Sequence, residues 1–273
     1  MTLELDGPLV LAGCGNMGGA MLAGWLERGL APGRIRVQDP APPPAVRALL
    51  DRHAIAAEAS VRLDVAPAVL LMAVKPQVMA EVFAVLAALA GPDTLVLSIA
   101  AGKTIASFEA ALAPGRAVVR SIPNTPAAVG RGITVAVANA HVTARQKALA
   151  TALLGAIGEV AWVDDEALID PVTAVSGSGP AYVFLLAECL AAAGVRAGLP
   201  EALAARLARA TVAGAGELLH RSDLPAATLR ENVTSPTGTT FAALQVLMRA
   251  DGMAPLLAEA VAEATRRSRE LAG

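Results

Sequence analysis

The stretch from Leu9 to Gly18 constrains this chain more than any other. Four apolar residues, Leu9-Val10-Leu11-Ala12, run directly into Gly13-Cys14-Gly15-Asn16-Met17-Gly18, and a helix-period segment from Met17 to Arg28 follows. A short apolar run ended by glycine reads as a buried strand, and this glycine spacing between strand and helix suits a turn that receives a pyrophosphate. Gly13 permits the tight turn, Gly15 lets the ligand approach the backbone, and Gly18 lets helix and strand pack closely. The helix N-terminus then offers free N–H groups and the positive end of its dipole. Asp39 stands 21 residues beyond Gly18, closing the next β-like run, where a carboxylate hydrogen-bonds the ribose hydroxyls of an adenosine. A glycine turn without a ligand is the plain alternative, and the surrounding pattern argues against it. Residues Gly13, Cys14, Gly15, Asn16, Met17, Gly18 and Asp39 are therefore expected to bind a dinucleotide. Asp39 repels a 2′-phosphate, and Pro40-Ala41-Pro42-Pro43-Pro44 supply no arginine to hold one, so NADH is expected ahead of NADPH. Arg47, on the following helix, is the residue that could serve NADPH. Cys14 reads either as a thiolate stabilised at a helix start or as a small side chain filling the loop, and the second is expected.

The rest of the first half repeats the alternation. Arg34–Val37, Val69–Val74, Leu95–Ile99 and Ala117–Arg120 are short β-like runs separated by helix-period segments such as Pro44–His53. Near-continuous apolar strands alternating with helices predict an α/β fold, a Rossmann-type doubly wound parallel sheet covered on both faces. Thr134–Val137 and a helix from Thr143 to Gly155 continue the pattern, and Trp162-Val163 closes it. After Asp164 the β-like runs stop. Ala181–Ala193, Glu201–His220, Thr240–Arg249 and Met253–Leu271 have helical spacing, with stop-and-start signals at Gly198-Leu199-Pro200 and Ser222–Pro225. The expected division is a dinucleotide-binding domain over 1–163 and a helical domain over 164–273. The apolar, small-residue faces of the second suggest a dimerisation domain; a self-contained bundle is the alternative.

Composition narrows the function classes. Hydrophobic residues are 55% and charged residues 17%, too apolar for a disordered chain, and a net charge of −2 with 3% aromatics leaves no footprint for nucleic acid. Val65–Val74 reads as the most continuous apolar run, broken by Pro67 and well short of the roughly 20 residues of a membrane helix, so no membrane span is expected. Glu4 and Asp6 precede the first apolar run where a secretory signal would carry lysine or arginine. Two cysteines make no disulfide framework, and His53, His141 and His220 lack metal spacing, so the expectation is a cytoplasmic protein without a metal.

Two motifs stand out in the helical half. Ser176-Gly177-Ser178-Gly179-Pro180-Ala181-Tyr182 leads into a helix; its glycines are adjacent to the serines, so it is no nucleophile elbow, and they allow close helix or cofactor approach. Asn232-Val233-Thr234-Ser235-Pro236-Thr237-Gly238-Thr239-Thr240 brings five hydroxyls and several N–H groups to a helix start with no acid among them. That composition suits a small carboxylate. A helix cap is the alternative, but capping needs only one hydroxyl.

With those residues in place the chain resembles the Δ1-pyrroline-5-carboxylate reductase family along essentially its whole length. The resemblance rests on Gly13–Gly18, Ala73-Val74-Lys75-Pro76, Ser98-Ile99-Ala100-Ala101-Gly102, Pro123-Asn124-Thr125-Pro126, Ser176–Tyr182 and Ser235–Thr240, in order. It implies reduction of a cyclic imine, L-1-pyrroline-5-carboxylate, to L-proline by hydride transfer from NAD(P)H, the last step of proline biosynthesis. It also implies that Ala73, Val74, Lys75 and Pro76, with Ala100, Ala101 and Gly102, lie along the cofactor, that Ser60 and Asn232 touch it, and that Pro123–Pro126 shape the floor near the nicotinamide. Ser235, Gly238, Thr239 and Thr240 would hold the substrate, Thr240 as the catalytic hydroxyl at the ring nitrogen, and Glu166 would lie near it. Family members are dimers through the helical domain, often rings of dimers, with each site completed by the partner chain. Thr237 departs from the family, which usually has glycine there; a β-branched residue tolerates a positive φ poorly, so either the turn does not need that conformation or the carboxylate pocket is reshaped.

Two other classes compete. A β-hydroxyacid dehydrogenase of this architecture wants a lysine on a helix of the second domain, and residues 164–273 contain none. A non-catalytic dinucleotide sensor has no use for the hydroxyl-rich stretch.

Overall fold

The computed structural model describes residues 3–272. The chain divides into two compact units, residues 1–177 with 265–273, and residues 178–264. The first unit runs to Gly177, beyond the 163/164 division, because Ile169 and Ala174 bury themselves completely there.

The first unit contains β1 (Leu9–Ala12), α1 (Asn16–Glu27), β2 (Ile35–Gln38), α2 (Pro44–Arg52), β3 (Ala57–Glu58), β4 (Val69–Met72), α3 (Pro76–Leu86), β5 (Leu95–Ser98), α4 (Ile105–Glu109), β6 (Ala117–Ile122), β7 (Gly132–Ala138), α5 (Ala144–Leu154), β8 (Gly158–Trp162) and α6 (Ile169–Val172). The strand order is β3-β2-β1-β4-β5-β6-β7-β8. Side chains alternate across the sheet, so each strand feeds two cores. Leu9, Leu11, Val37 and Leu71 pack with Met21, Leu22 and Trp25 of α1 and Leu153 and Leu154 of α5. Val10, Leu70, Met72 and Val96 pack on the other face with Met79, Phe83 and Leu86 of α3 and Phe108 of α4. The doubly wound sheet is thus present as expected. The Trp25 indole N–H, wholly buried, donates to Leu153 O at 2.9 Å and ties α1 to α5.

One strand pair departs from the parallel pattern: β6 and β7 are antiparallel, with Ser121 opposite Ala136. Their connection is Pro123–Arg131, a short 3₁₀ turn and not a crossover helix, and a link that short only reverses the chain. The start of β7 therefore lies at the carboxyl end of the parallel strands.

The second unit contains α7 (Gly179–Arg196), α8 (Glu201–Arg221), α9 (Ala226–Asn232), α10 (Thr239–Leu247) and the first part of α11 (Met253–Ala272). Helix α7 stops at Gly198, where φ is +98°, and the Leu199 N–H reaches back to Gly194 O at 3.0 Å. Among its described residues only Ala204 and Ala208 are buried, while Phe184, Leu185, Leu218 and Leu256 are each more than half exposed. A unit with so little core of its own presents an apolar surface that needs covering.

The longest apolar stretch is not Val65–Val74. A 31-residue helical run from Glu166 to Arg196 carries a window long and apolar enough, by length and composition, to cross a membrane. Its apolar character comes largely from alanine and glycine dispersed among the larger side chains, without a continuous Val/Leu run.

Candidate active site

The glycine turn has the backbone its sequence requires. Gly13 has φ +88°, and a Cβ there would lie 2.7 Å from Ala73 C and O. That distance excludes any side chain and brings the β1 turn onto the Ala73–Pro76 segment after β4. At Gly18 a Cβ would meet Gly13 O at 2.3 Å, so the third glycine lets α1 close on its own turn. At Gly15 nothing lies within 4 Å. Helix α1 begins with Gly15 as its cap, without a side-chain acceptor and without an acid in its first turn. Open space above uncapped N–H groups fits a pyrophosphate oxygen.

Asp39 follows β2 directly. Its Oδ2 accepts from the Cys14 N–H at 2.7 Å and its Oδ1 from the Ala41 N–H at 2.9 Å. Four acceptor positions on a carboxylate leave room for two further donors. Ser60 is exposed one residue before Val61, whose N–H is held by Gln38 Oε1 at 3.0 Å, so Ser60 and Asp39 share one edge of the sheet. Cys14 is fully buried, and burial, with the Asp39 charge adding to it, pushes its thiol up from 9.0 to about 12. The side chain is a filler in the loop, not a thiolate.

The strand ends named by sequence meet this edge. Ala73 donates to Ala12 O at 2.7 Å, and Lys75 is exposed at the start of α3 with Pro76 in its first turn. After β5, Ser98 Oγ accepts the Ala100 N–H at 3.2 Å, and Gly102 has φ +70°. Asn124 Oδ1 accepts the Ile133 N–H at 2.9 Å, which pins the proline-bounded loop to β7. Glu166 lies in the same unit, but its Oε1 is shared between Arg120 Nη1 at 2.8 Å and the Ile105 N–H at 2.9 Å.

The hydroxyl loop belongs to the second unit. Asn232 ends α9, exposed, and Gly238 caps α10 with no side-chain hydrogen bond. The hydroxyl cap weighed as the alternative does not form among the described residues, so the first N–H groups of α10 have no side-chain acceptor. Two of the five hydroxyls are spent on their own chain, Thr234 on Arg230 O at 2.7 Å and Thr237 on Pro236 O at 2.6 Å. Ser235, Thr239 and Thr240 have no side-chain hydrogen bond among the described residues. Thr237 does take the left-handed conformation, φ +59°, so this turn requires the backbone state that glycine adopts freely. At Gly238 a Cβ would lie 2.5 Å from Ser235 Oγ and 3.2 Å from Ser235 O, so a side chain there would displace the Ser235 hydroxyl.

A doubly wound sheet with an open glycine turn at the start of its first helix and an acid directly after its second strand, followed by a helical unit that cannot cover itself, defines a dinucleotide-dependent oxidoreductase with a C-terminal association domain. Comparison with known proteins agrees. Residues 166–271 match the model for pyrroline-5-carboxylate reductase dimerisation, and residues 9–102 match that for the NADP oxidoreductase, coenzyme F420-dependent, family. The chain is 42% identical to pyrroline-5-carboxylate reductase of Pseudomonas aeruginosa over 97% of its length and 96% of that protein's. It is 38% identical to the Escherichia coli protein of the same name, over 95% and 96%. Among solved structures, a pyrroline-5-carboxylate reductase from Coxiella burnetii superposes with a TM-score of 0.90 at 32% identity, covering 98% of this chain and 99% of that one. The Plasmodium falciparum enzyme, solved with NADP bound, gives 0.78 at 26% identity over the whole of both chains. The chain belongs to the pyrroline-5-carboxylate reductase family. The apolar run from Glu166 to Arg196 falls within the matched dimerisation region, which accounts for its exposed surface.

Proposed function

We propose that this enzyme reduces L-1-pyrroline-5-carboxylate to L-proline, with NADH preferred to NADPH. The observation that carries the substrate reading is the uncapped start of α10, where backbone N–H groups and the free hydroxyls of Ser235, Thr239 and Thr240 offer donors and no acid. A carboxylate is the ligand such a group of donors favours. In this reading Ser235 and the N–H groups of Gly238, Thr239 and Thr240 hold the substrate carboxylate. The Thr240 hydroxyl hydrogen-bonds the ring nitrogen and relays the proton that the product amine needs.

Gly13–Gly18 hold the pyrophosphate and Asp39 the adenosine ribose, with Ser60 beside it. Ala73–Pro76 and Ala100–Gly102 lie along the dinucleotide, Pro123–Pro126 form the floor of the nicotinamide pocket, and Asn232 is a further cofactor contact. When bound, the reduced nicotinamide supplies the hydride accepted by the C=N carbon. A threonine hydroxyl is a weak acid, so most of the rate enhancement falls to orientation, with the carboxylate clamped and the ring face fixed. Functional domains of 1–163 and 164–273, a dimer through the second and a ring of such dimers in the cytoplasm complete the reading; the half-exposed leucines and Phe184 of the second unit support the association.

The test follows the absorbance of reduced nicotinamide with purified enzyme and pyrroline-5-carboxylate, with NADH and NADPH in parallel. Turnover with a higher kcat/KM for NADH is expected. Protein that binds NADH but turns over nothing would refute the substrate assignment.

A further inference from the structure

A charge pair between a buried arginine and a half-buried glutamate lies outside the proposed reaction. Arg120, on β6, is 3% exposed, and among the described residues Glu166 is its one ion-pair partner. Among the described residues the Arg120 Nε has no hydrogen-bond partner. The same Glu166 oxygen that receives Arg120 Nη1 also accepts the Ile105 N–H. Ile105 opens α4, so its N–H is one of the donors a helix cannot satisfy within itself. One oxygen thus fixes the position of the α4 start relative to β6.

Between Ser98 at the end of β5 and Ile105 runs the loop that carries Ala100, Ala101 and Gly102. Its other end is also held from β6: Ser121 Oγ donates to Ser98 O at 2.9 Å, and Ser98 Oγ accepts the Ala100 N–H. At Gly102 the carbonyl oxygen of Leu271 stands 3.0 Å from the place a Cβ would occupy, so α11 roofs the loop. Two adjacent β6 residues, Arg120 through Glu166 and Ser121 directly, therefore set both ends of this loop.

We infer that Arg120 and Glu166 are positioning residues that preorganise the Ala100–Gly102 loop for the dinucleotide, and that Glu166 serves the cofactor side of the reaction without touching the substrate. This rests on the proposed reading that the loop faces the dinucleotide. A buried guanidinium demands an anion, and a carboxylate committed to it and to a backbone N–H is held to the protein frame. A loop fixed in advance binds its ligand at a smaller ordering cost.

The experiment titrates NADH and NADPH into the full-length enzyme by fluorescence and measures KM for both substrates. It compares wild type, Glu166→Gln, Glu166→Ala and the double variant Arg120→Met with Glu166→Leu. Glu166→Ala and the double variant should each weaken dinucleotide binding about tenfold, the scale of one charge-assisted hydrogen bond, with KM for pyrroline-5-carboxylate within about twofold. Glu166→Gln, whose amide oxygen still accepts from Ile105, should recover most of that loss. The double variant removes the stranded charge and restores Tm. If dinucleotide affinity returns with Tm, the role is merely structural and the inference fails. It also fails if the folded variants bind dinucleotide like wild type, or if only the KM for the imine rises. Wild type that binds neither dinucleotide would overturn the underlying site reading as well, whereas binding unchanged across the variants would overturn the positioning role alone.

Discussion

Asp39 Oδ2 and the Cys14 backbone N–H are joined at 2.7 Å, so the acid at the end of β2 is part of the frame of the glycine turn. The carboxylate that would select the ribose also steadies the loop that would receive the pyrophosphate. In the proposed reading, selectivity and affinity are therefore linked through one side chain.

Asp39→Ser should raise the NADPH-to-NADH ratio of kcat/KM by about tenfold or more, because a carboxylate facing a 2′-phosphate is a like-charge contact. Affinity for both cofactors should fall together, since Cys14 N–H loses its acceptor. Asp39→Asn keeps an oxygen for that N–H and should shift the ratio with less overall loss. Parallel kinetics with the two cofactors check this, and an unmoved ratio would remove Asp39 from ribose recognition.

The raised Cys14 pKa makes stability fall at alkaline pH. The unfolded thiol ionises from pH 9.0 while the folded one holds its proton to about 12. The folded chain then binds more protons, so its stability is intact below about pH 9 and declines as pH rises from there toward 12. Tm measured from pH 8 to pH 11, in steps of about one unit, should drop more steeply for wild type than for Cys14→Ala. Parallel curves would show that the thiol is not protected. Native protein should also leave Cys14 unalkylated until it unfolds.

Thr237 stores strain. A β-branched residue at φ +59° costs about 1–2 kcal/mol, more than the roughly 0.4–1 kcal/mol that glycine loses through unfolded-state entropy. Thr237→Gly should raise Tm by about 1–3 °C. A falling Tm would mean that the hydroxyl bond to Pro236 O outweighs the strain. KM for the imine should change with it, because the turn positions Ser235 and Gly238.

Thr240→Ala should lower kcat/KM by about 10- to 1,000-fold, the range for removing one hydrogen bond made in the transition state. NADH binding measured without substrate should stay constant. Unchanged turnover would take Thr240 out of the mechanism.

Phe184 is 63% exposed on α7. Phe184→Asp should place a charge in the association surface and reduce the mass seen by light scattering, with a lower Tm, since so little of the second unit is buried within one chain. A variant that keeps the wild-type mass would put the interface elsewhere.

Local rules made much of this architecture legible. Helix α1 is expected from Met17 to Arg28 and forms from Asn16 to Glu27; α8 is expected from Glu201 to His220 and ends one residue later. Glycine spacing announced the turn at Gly13 because the backbone needs φ +88° there. Strand β3, only Ala57–Glu58, carries too few residues for an alternation to register. The direction of β7 was equally hidden, since its residues read the same whichever way the strand runs.

The sequence by itself determined the doubly wound sheet, the glycine turn and the family, because each depends on residues close together in the chain or on motifs in a fixed order. Tertiary structure decided what the isolated side chains do. Glu166 reads as an isolated acid in the chain; the structure gives its Oε1 two partners, Arg120, 46 residues away, and the Ile105 N–H, 61 away. Cys14 reads as a reactive thiol or a filler, and burial against Asp39 settles it as a filler. Hydroxyls at Thr234 and Thr237 read as ligand donors, but they bond their own backbone, while Ser235, Thr239 and Thr240 make no side-chain hydrogen bond among the described residues. A side chain's role follows from which partner reaches it first, and partners distant in sequence become neighbours only when the sheet and helices close around them.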